Sequence, residues 1–275
     1  MTALPPMNNA DPIRWLVCVA TAYELTHLTR TLHLQPSGKE DSAPRFEGRV
    51  GPHCLTVLQT GVGPARAHRL VACALKRRSW LGVISVGLSG GLRPWLPSGS
   101  LVIGDRWIRV EGGLPGAIRS VGPPVDQRLK EAALRAARDC GLTVHEGRLA
   151  TADRLIGSPA DKHALAERTD AIAVDMESGA VAEAALATGV AAVAVRAILD
   201  PVDEALPLSP ESFLHADGSL SIWNSGLDIA LRPSLWPVLW GVGRRSAQAM
   251  SLLACWLGRL WDQDHAAQDQ GRQLS

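Results

Sequence analysis

The sequence predicts an α/β fold, with helices on the faces of a central sheet and a helical extension at the C-terminus. From Trp15 onward, short runs of β-branched residues alternate with alanine-rich segments, a pattern typical of strands and helices that follow one another. The 275 residues are 46% hydrophobic and 20% charged, so the chain can bury a large core without disulfides or metals. Beyond Asp200 the composition shifts to Trp and Leu, which marks the extension.

Four strands are predicted in the first part of the chain. Each is a short apolar or β-branched run, at Trp15–Ala20, Cys54–Gln59, Val83–Val86 and Leu101–Ile103. A helix that carries Glu24 follows the first strand. A second helix begins at Pro64, which suits a first helical turn, and continues to about Arg78. The third strand leads into Gly87–Gly91, which we expect to be a tight turn that only small residues can make.

The next elements extend the α/β pattern to Asp200. The segment Asp126–Cys140 predicts an amphipathic helix, closed by Gly141. Three further strands are expected at Gly147–Ala150, Ala171–Asp175 and Ala191–Ala197. A helix from about Gly179 to Thr188 precedes the last of them. We therefore expect one α/β domain from Trp15 to about Asp200.

The C-terminal region is predicted to be helical but interrupted. An acidic, proline-containing loop over Pro201–Ser219 precedes the segment Leu231–Trp261, which predicts two helical pieces with a kinked join, because prolines and glycines fall inside it. In the second piece five apolar residues share one face, namely Met250, Leu253, Ala254, Leu257 and Trp261. We expect a flexible tail over residues 1–12, one domain over 13–263 with the extension at about 220–263, and a polar tail over 264–275.

The aromatic residues are unevenly distributed. The chain has nine Trp but only two Phe and one Tyr, and five of the Trp lie in the last fifth: Trp223, Trp236, Trp240, Trp256 and Trp261. Indole rings suit a boundary between apolar and wet surroundings. The cluster therefore predicts an apolar substrate channel or a membrane contact, and a Trp cluster that closes the core is the alternative.

Charge and cysteine usage exclude several classes of protein. With 28 basic and 27 acidic side chains, the net charge of +1 argues against a nucleic-acid partner. The five Cys and eight His lack the spacing of metal ligands, so no metal site is expected. Residues 1–12 contain no export signal, and the uncharged run Pro233–Gly243 is too short to span a membrane. We expect a cytoplasmic enzyme, in contact with the membrane at most peripherally.

Carboxylates follow several of the predicted strands. Glu24 comes after the first strand, Glu177 after the strand that ends at Asp175, and Asp200 after the last. Each has an ordinary structural explanation, since Glu177 begins a helix and Asp200 precedes Pro201 in a turn. In open α/β sheets, however, ligands gather at the carboxyl ends of the strands. The combination of three carboxylates in these positions predicts an active site.

The segments around these carboxylates resemble a known superfamily. Ile84–Leu92 (ISVGLSGGL), Val174–Ser178 (VDMES) and Val195–Asp200 (VRAILD) are similar to the motifs of the nucleoside phosphorylases and nucleosidases, over roughly Trp15 to Asp203. Ala20–Leu25 (ATAYEL) looks like the 5′-methylthioadenosine/S-adenosylhomocysteine nucleosidases. The run that begins DPVDEALP at Asp200, with the Trp-rich extension, looks more like the hopanoid-associated branch.

The resemblance implies a fold and an activity. The fold would be a three-layer sandwich around a mixed, largely parallel sheet, and the enzyme would need no cofactor and form a homo-oligomer. The implied substrate is a small-molecule or lipid-linked adenosine, from which the enzyme releases adenine, and adenosylhopane is the preferred candidate. A methylthioadenosine/adenosylhomocysteine nucleosidase is the first alternative. A non-catalytic nucleoside-binding or membrane-associated protein is the second.

The resemblance also implies roles for individual residues. Asp200 would share a proton with N7 of the leaving adenine, which requires burial to raise its pKa. Glu177 would accept hydrogen bonds from the sugar hydroxyls, and Glu24 would activate the attacking water. The remaining substrate contacts would come from Met176 beside the sugar, from Leu155 and Ile156 at the adenine, and from Ser89 and Gly90 in the glycine-rich segment. Leu155 replaces the family's aromatic residue.

The nucleophile can be predicted from the residues that replace the family's phosphate ligands. Where the phosphorylases place arginines and other donors, this chain has Ala20, Glu24, Ser85 and Leu88. A carboxylate repels an anionic nucleophile, which favours hydrolysis. Three arginines could still form a phosphate pocket in another way, with phosphate as co-substrate: Arg66, Arg93 and Arg196.

Overall fold

The computed structural model describes residues 13–112, 116–121, 125–206 and 236–273. The strands of this part of the chain are β1 (Ile13–Val19), β2 (Gln35–Glu40), β3 (Ala43–Val50), β4 (His53–Gln59), β5 (Gly82–Gly91), β6 (Leu101–Glu111), β7 (Ala117–Val121), β8 (Val144–Ala152), β9 (Ala173–Asp175) and β10 (Ala191–Asp200). Its helices are α1 (Ala22–Thr31), α2 (Pro64–Arg77), α3 (Gln127–Asp139), α4 (Pro159–Thr169), α5 (Ser178–Ala187) and α6 (Trp236–Gln273).

The strands form one mixed sheet, flanked by helices as predicted. Their order is β10-β6-β8-β9-β5-β1-β4-β3-β2, and β7 pairs with β6. Because β10 also pairs with β5, the strands β5, β10, β6, β8 and β9 close into a ring. Parallel pairings join β1 to β4 and β5, β5 to β10, and β8 to β6 and β9, while the other pairings are antiparallel.

The ring brings the ends of several strands together. The last two residues of β5 pair antiparallel with β9, Gly90 with Val174 and Gly91 with Ala173. Gly90 also pairs with Asp200 at the end of β10. The carboxyl ends of β5, β9 and β10 therefore meet at one place, although β9 runs against β5.

The prediction of a turn at Gly87–Gly91 was wrong, because these residues continue strand β5. Their small size serves close packing instead. A Cβ on Gly87 would lie 2.6 Å from Glu24 Oε1, and a Cβ on Gly90 would lie 3.2 Å from Asp200 Oδ2. Glycine at these two positions lets two of the predicted site carboxylates approach the strand.

The C-terminal region contains one long helix rather than two pieces joined by a kink. Helix α6 runs without interruption from Trp236 to Gln273, through Gly241 and Gly243, which have open space beside them. The predicted apolar face is confirmed: the side chains of Met250, Leu253, Ala254, Leu257 and Trp261 are all buried. Residues 207–235, which include Trp223 and most of the predicted acidic loop, lie outside the described part of the chain.

Helix α6 closes the core. It packs on helices α1 and α3 and on strands β3, β5 and β10. Trp256 is fully buried and donates a hydrogen bond from Nε1 to the Ala133 carbonyl (2.9 Å), and the Trp261 ring meets Trp15 edge-on at 6.2 Å. Among the described residues, no helix is long and apolar enough to cross a membrane. At least two of the C-terminal Trp residues therefore serve the core.

Four further elements were not predicted: β2, β3, β7 and α4. The hairpin β2–β3 extends the edge of the sheet beyond β4, β7 pairs with β6, and helix α4 connects β8 to β9. Helix α4 begins with the Ser158 side chain accepting the Asp161 N–H (3.1 Å) and with Pro159 in its first turn. Helix α4 carries Lys162, whose charged side chain pairs with Asp200 at the end of β10.

Candidate active site

A cavity of about 310 Å³ lies where the carboxyl ends of the strands meet. Its size suits a small organic ligand. Much of its wall is apolar, and four carboxylates, those of Glu24, Asp175, Glu177 and Asp200, stand in that wall. The lining residues come from the ends of β1, β4, β5, β8, β9 and β10: Ala20, Thr21, Tyr23, Glu24, Val62, Leu88, Ser89, Gly90, Arg154, Leu155, Ile156, Val174, Asp175, Met176, Glu177, Leu199, Asp200 and Leu206.

Glu24 is held by the first turn of α1. Its Oε2 accepts hydrogen bonds from the backbone N–H groups of Ala20 (3.0 Å) and Thr21 (2.8 Å) and from the Thr21 hydroxyl (3.0 Å). Thr21 caps the helix in return by accepting the Glu24 N–H, which completes a capping box. Oε1 accepts the N–H of Leu88 from β5 (3.1 Å). The carboxylate is thus fixed between two strand ends.

Glu177 lies at the start of α5, directly after β9. Its Oε1 accepts the backbone N–H of Gly63 (2.8 Å), which reaches it from the turn before α2. Burial and, to a smaller extent, the neighbouring Asp175 carboxylate raise the pKa of Glu177 to about 8, against the hydrogen bond from Gly63 and the charge of Arg196. Without a ligand, this group is therefore largely protonated at neutral pH.

Asp200 ends strand β10 and is almost completely buried. Its carboxylate forms an ion pair with the ammonium group of Lys162, which is itself fully buried. Burial and, to a smaller extent, the charge of Glu204 raise the pKa of Asp200, while Lys162 lowers it; the resulting pKa is about 6. A buried acid with a pKa close to neutrality can both give and take a proton.

The predicted substrate contacts all line the cavity. Ser89 and Gly90 lie on β5 beside Asp200, and Leu155, Ile156 and Met176 form other parts of the wall. The Ser89 hydroxyl is buried and has no hydrogen-bond partner among the described residues. A buried polar group without a partner costs stability, so this hydroxyl is available to a ligand.

The three arginines proposed as phosphate ligands do not line this cavity. Arg93 donates to Asp170 on the outer side of the molecule (2.7 Å). Arg66 lies in the first turn of α2, where its Nε would be 2.5 Å from a Cβ on Gly61. Arg196 is buried behind the wall, and its guanidinium group donates to Asp175 (2.6 Å), Ser85 (2.7 Å) and the Val195 carbonyl (3.1 Å).

A second, much smaller cavity adjoins the first. Its volume of about 10 Å³ is close to the smallest that holds one water molecule. Glu24 and Glu177 belong to the walls of both cavities, and Ser85 and Arg196 line only the smaller one. A water there would be in reach of carboxylate oxygens and of polar hydrogens, but the space is too small for a phosphate ion.

Several residues of the site were missed by sequence reasoning. Lys162 could not be found because helix α4 was not predicted, and no local pattern distinguishes a buried lysine from an exposed one. Gly63 could have been noticed in the sequence, because it stands directly before Pro64, where the helix begins. In the structure it has a φ of 100°, which favours glycine. Asp175 was recognised only as a strand end, yet it accepts hydrogen bonds from Arg196 and from the Thr151 hydroxyl (2.8 Å). It also accepts the N–H of Ser178 at the start of α5 (3.1 Å).

Most of the sequence is similar to a known family: residues 14–219 match the family described as the phosphorylase superfamily. A 5′-methylthioadenosine/S-adenosylhomocysteine nucleosidase of Haemophilus ducreyi is 29% identical over 180 residues, which cover 62% of this chain and 77% of the relative. A futalosine hydrolase of Streptomyces coelicolor is 33% identical over 198 residues, or 68% of this chain and 83% of the relative.

Solved structures share the fold. The 5′-methylthioadenosine/S-adenosylhomocysteine nucleosidase of Helicobacter pylori, in complex with a pyrrolopyrimidine-bearing pyrrolidinol, superposes with a TM-score of 0.71 at 16% identity, covering 92% of this chain and 99% of that one. The futalosine hydrolase of the same organism gives a TM-score of 0.71 at 16% identity, covering 92% and 98%.

Proposed function

The chain belongs to the phosphorylase superfamily, and we propose that it hydrolyses the N-glycosidic bond of a 5′-substituted adenosine and releases adenine. The observation that carries this proposal is the meeting of Glu24, Glu177 and Asp200 around one cavity of nucleoside size. Similarity to relatives named as nucleosidase and hydrolase supports the same reaction.

The reaction needs an acid for the leaving base. Cleavage of the bond leaves negative charge on adenine and positive charge on the sugar, so a proton delivered to the base lowers the barrier. We assign this role to Asp200, whose pKa near 6 places both its protonation states within reach at neutral pH. Its position at the end of β10, beside Gly90, leaves the carboxyl group at the cavity wall.

The sugar would lie between Glu177 and Met176. A carboxylate can accept hydrogen bonds from two adjacent hydroxyl groups, and these strengthen as the sugar becomes cationic. The pKa of Glu177 is raised because its buried carboxylate lacks the stabilisation that water gives to an exposed one. Hydrogen bonds from the substrate hydroxyls would supply that stabilisation. The single N–H from Gly63 leaves the second carboxylate oxygen available for this purpose.

The water nucleophile is assigned to the smaller cavity. It adjoins the proposed sugar site, is close to the smallest space that holds one water molecule, and has Glu24 in its wall. Arg196, the cation nearest to it, is already bound to Asp175 and Ser85, which leaves little capacity for a phosphate ion. These features favour hydrolysis over phosphorolysis, and the reaction then needs no cofactor.

For the 5′ substituent we propose an apolar group, with adenosylhopane as the first candidate. Support comes from the apolar side chains that line the cavity, among them Val62, Leu88 and Leu206. A methylthioadenosine/adenosylhomocysteine nucleosidase is the rival, favoured by the similarity to the Haemophilus relative, and a futalosine-type substrate is a further one. Action in the cytoplasm, peripheral membrane contact and a homo-oligomer remain predictions.

Base release from a panel of nucleosides tests the proposal. The full chain is incubated with adenosine, 5′-methylthioadenosine, S-adenosylhomocysteine, futalosine and adenosylhopane, each with and without phosphate. We expect phosphate-independent release of the base from at least one 5′-substituted substrate. Glu177→Gln should abolish it, while Glu183→Gln, which changes a glutamate bound to Arg109 and Arg119 outside the cavity, should not. Absence of release from every substrate would overturn the proposal.

A further inference from the structure

Lys162 is an unusual residue for the interior of a protein. It is fully buried, although lysine is rarely so unless it is paired. Its Nζ donates to the backbone carbonyls of Pro201 (2.9 Å) and Glu204 (2.7 Å) and forms the ion pair with Asp200. An ammonium group has three protons, and each one therefore has a partner.

The three partners of Lys162 all belong to one short segment. Asp200 ends strand β10, and Pro201 and Glu204 follow it directly, so the lysine ties the acid to the chain that leaves the strand. The absence of a side chain at Gly90 leaves room for the ion pair, because a Cβ there would lie 3.2 Å from Asp200 Oδ2 and 3.6 Å from Lys162 Cε. The orientation of the Asp200 carboxyl group thus depends on a residue from α4.

The same segment is anchored from the other side by helix α6. The Arg245 guanidinium group binds both oxygens of Glu204, with Nη1 3.1 Å from Oε2. Two residues later, the Leu206 N–H donates to the Gly157 carbonyl (3.0 Å), and the Leu206 side chain lines the cavity. A continuous set of contacts therefore leads from the C-terminal helix through Glu204 to Lys162 and Asp200.

From this arrangement we propose that Lys162 is a positioning residue, which holds the Asp200 carboxyl group in the orientation for proton transfer to the leaving base, and that Arg245 and Glu204 hold Lys162 in place. The inference rests on the role proposed for Asp200. It adds a function for a part of the molecule, α4 and the start of α6, that contributes little to the cavity wall itself.

Charge effects separate this role from a contribution of Lys162 to packing alone. The charged groups that act on Asp200 are Lys162 from α4 and Glu204 from the following segment, and Arg245 from α6 faces Glu204. Lys162 lowers the pKa of Asp200 and Glu204 raises it. Removal of the two charges should therefore move the titration of Asp200 in opposite directions, which a loss of packing alone would not do.

The test compares Lys162→Met and Glu204→Gln with the wild-type chain. In Lys162→Met the basic limb of the pH profile of kcat/KM should move to higher pH by about 1 to 3 units, and kcat should fall about tenfold to 100-fold. In Glu204→Gln the limb should move to lower pH. Lys130→Met is the matched control, because it removes a lysine paired with Glu146 (2.9 Å) far from the cavity, and should leave the profile unchanged.

An equilibrium measurement makes the inference independent of turnover. The carboxyl signal of Asp200, in protein labelled in its aspartate carboxyls and assigned with Asp200→Asn, is titrated by NMR in each variant. If the wild-type chain releases no base, the proposed function fails, while the titration still reports on Lys162. If Lys162→Met does not fold, Glu204→Gln and the neutral, polar variant Lys162→Gln supply the comparison. An Asp200 carboxyl titration that moves neither in the neutral Lys162 variant nor in Glu204→Gln overturns the inference.

Discussion

Substitution of Gly87 by alanine tests the position of Glu24 most sharply. The added Cβ would lie 2.6 Å from Glu24 Oε1, whereas ordinary contacts begin at 3.4 Å, so the carboxylate must move by about 0.8 Å. The movement would strain the hydrogen bond from the Leu88 N–H to the same oxygen (3.1 Å). Bonds of this kind, to a charged group, contribute about 1.5–3 kcal/mol to stability.

We therefore expect two measurable losses in Gly87→Ala. The free energy of unfolding in urea should fall by up to about 1.5–3 kcal/mol. In steady-state assays of base release, kcat/KM should fall about 100-fold, because a shift of about 1 Å in a group that positions a reactant has an effect of that size.

Gly91→Ala provides the matched control in the same strand. A Cβ there would make only ordinary contacts, 3.4 Å from Ile198 and 3.5 Å from the carbonyls of Asp200 and Leu96. It should therefore retain activity close to that of the wild-type chain. If Gly87→Ala is as active and stable as the wild type, or if Gly91→Ala is impaired to the same degree, the argument from close approach to Glu24 is refuted.

Three further predictions concern the acid, the pH dependence and the core. Asp200→Asn should lower the rate of base release by about 100-fold to 10,000-fold. It should also lower the free energy of unfolding by about 3–5 kcal/mol, because it leaves the buried Lys162 without its counter-ion. Equal urea midpoints for the variant and the wild type would contradict the second expectation. Since the folded-state pKa values of Asp200 (about 6) and Glu177 (about 8) lie above the ordinary 3.8 and 4.5, both groups favour the folded state at low pH, and this contribution is lost as the pH rises from about 4 to 8. Thermal unfolding followed across that range should show a flatter decline in Glu177→Gln, and an unchanged slope would count against the raised pKa. Trp256→Ala should cost about 3–5 kcal/mol in urea unfolding, whereas Trp240→Ala, at a side chain that is 77% exposed, should change stability by less than about 0.5 kcal/mol.

The alternation of apolar runs and helical segments was sufficient to predict the class of fold. The strands and helices that carry Glu24, Glu177 and Asp200 were all anticipated, because buried strands and capped helices leave local patterns. What local patterns cannot give is the closure of β5, β10, β6, β8 and β9 into a ring, which depends on pairings between distant residues. The pairing of Gly90 with both Val174 and Asp200 follows from that closure.

The glycine-rich segment shows why one of the predictions failed. In sequence, Gly87–Gly91 has the composition of a turn, and nothing within it indicates that the strand predicted at Val83–Val86 continues. The reason for the glycines lies in side chains that arrive from elsewhere, Glu24 from α1 and Asp200 from β10, and these leave no space for a Cβ. Lys162 was missed for a related reason, since its burial is decided by the segment after β10 rather than by its own helix.

The Trp-rich C-terminal region illustrates an ambiguity that only packing resolves. The sequence allowed a lipid channel, a membrane contact or closure of the core. Trp256 and Trp261 take the third role, buried against α3 and against Trp15. Because α6 supplies this part of the core, we expect that removal of the helix unfolds the domain, so truncation cannot be used to examine substrate choice.

The fate of the water oxygen tests the central claim most directly. The full chain is incubated with the 5′-substituted adenosine that it cleaves best, in water enriched in the heavy oxygen isotope and in the presence of phosphate. The sugar product is then analysed by mass spectrometry. Hydrolysis at the Glu24 site predicts one labelled oxygen on the anomeric carbon and no sugar phosphate, with the rate strongly reduced in Glu24→Gln. A sugar 1-phosphate without label, or labelled product formed as fast by Glu24→Gln, would contradict the account.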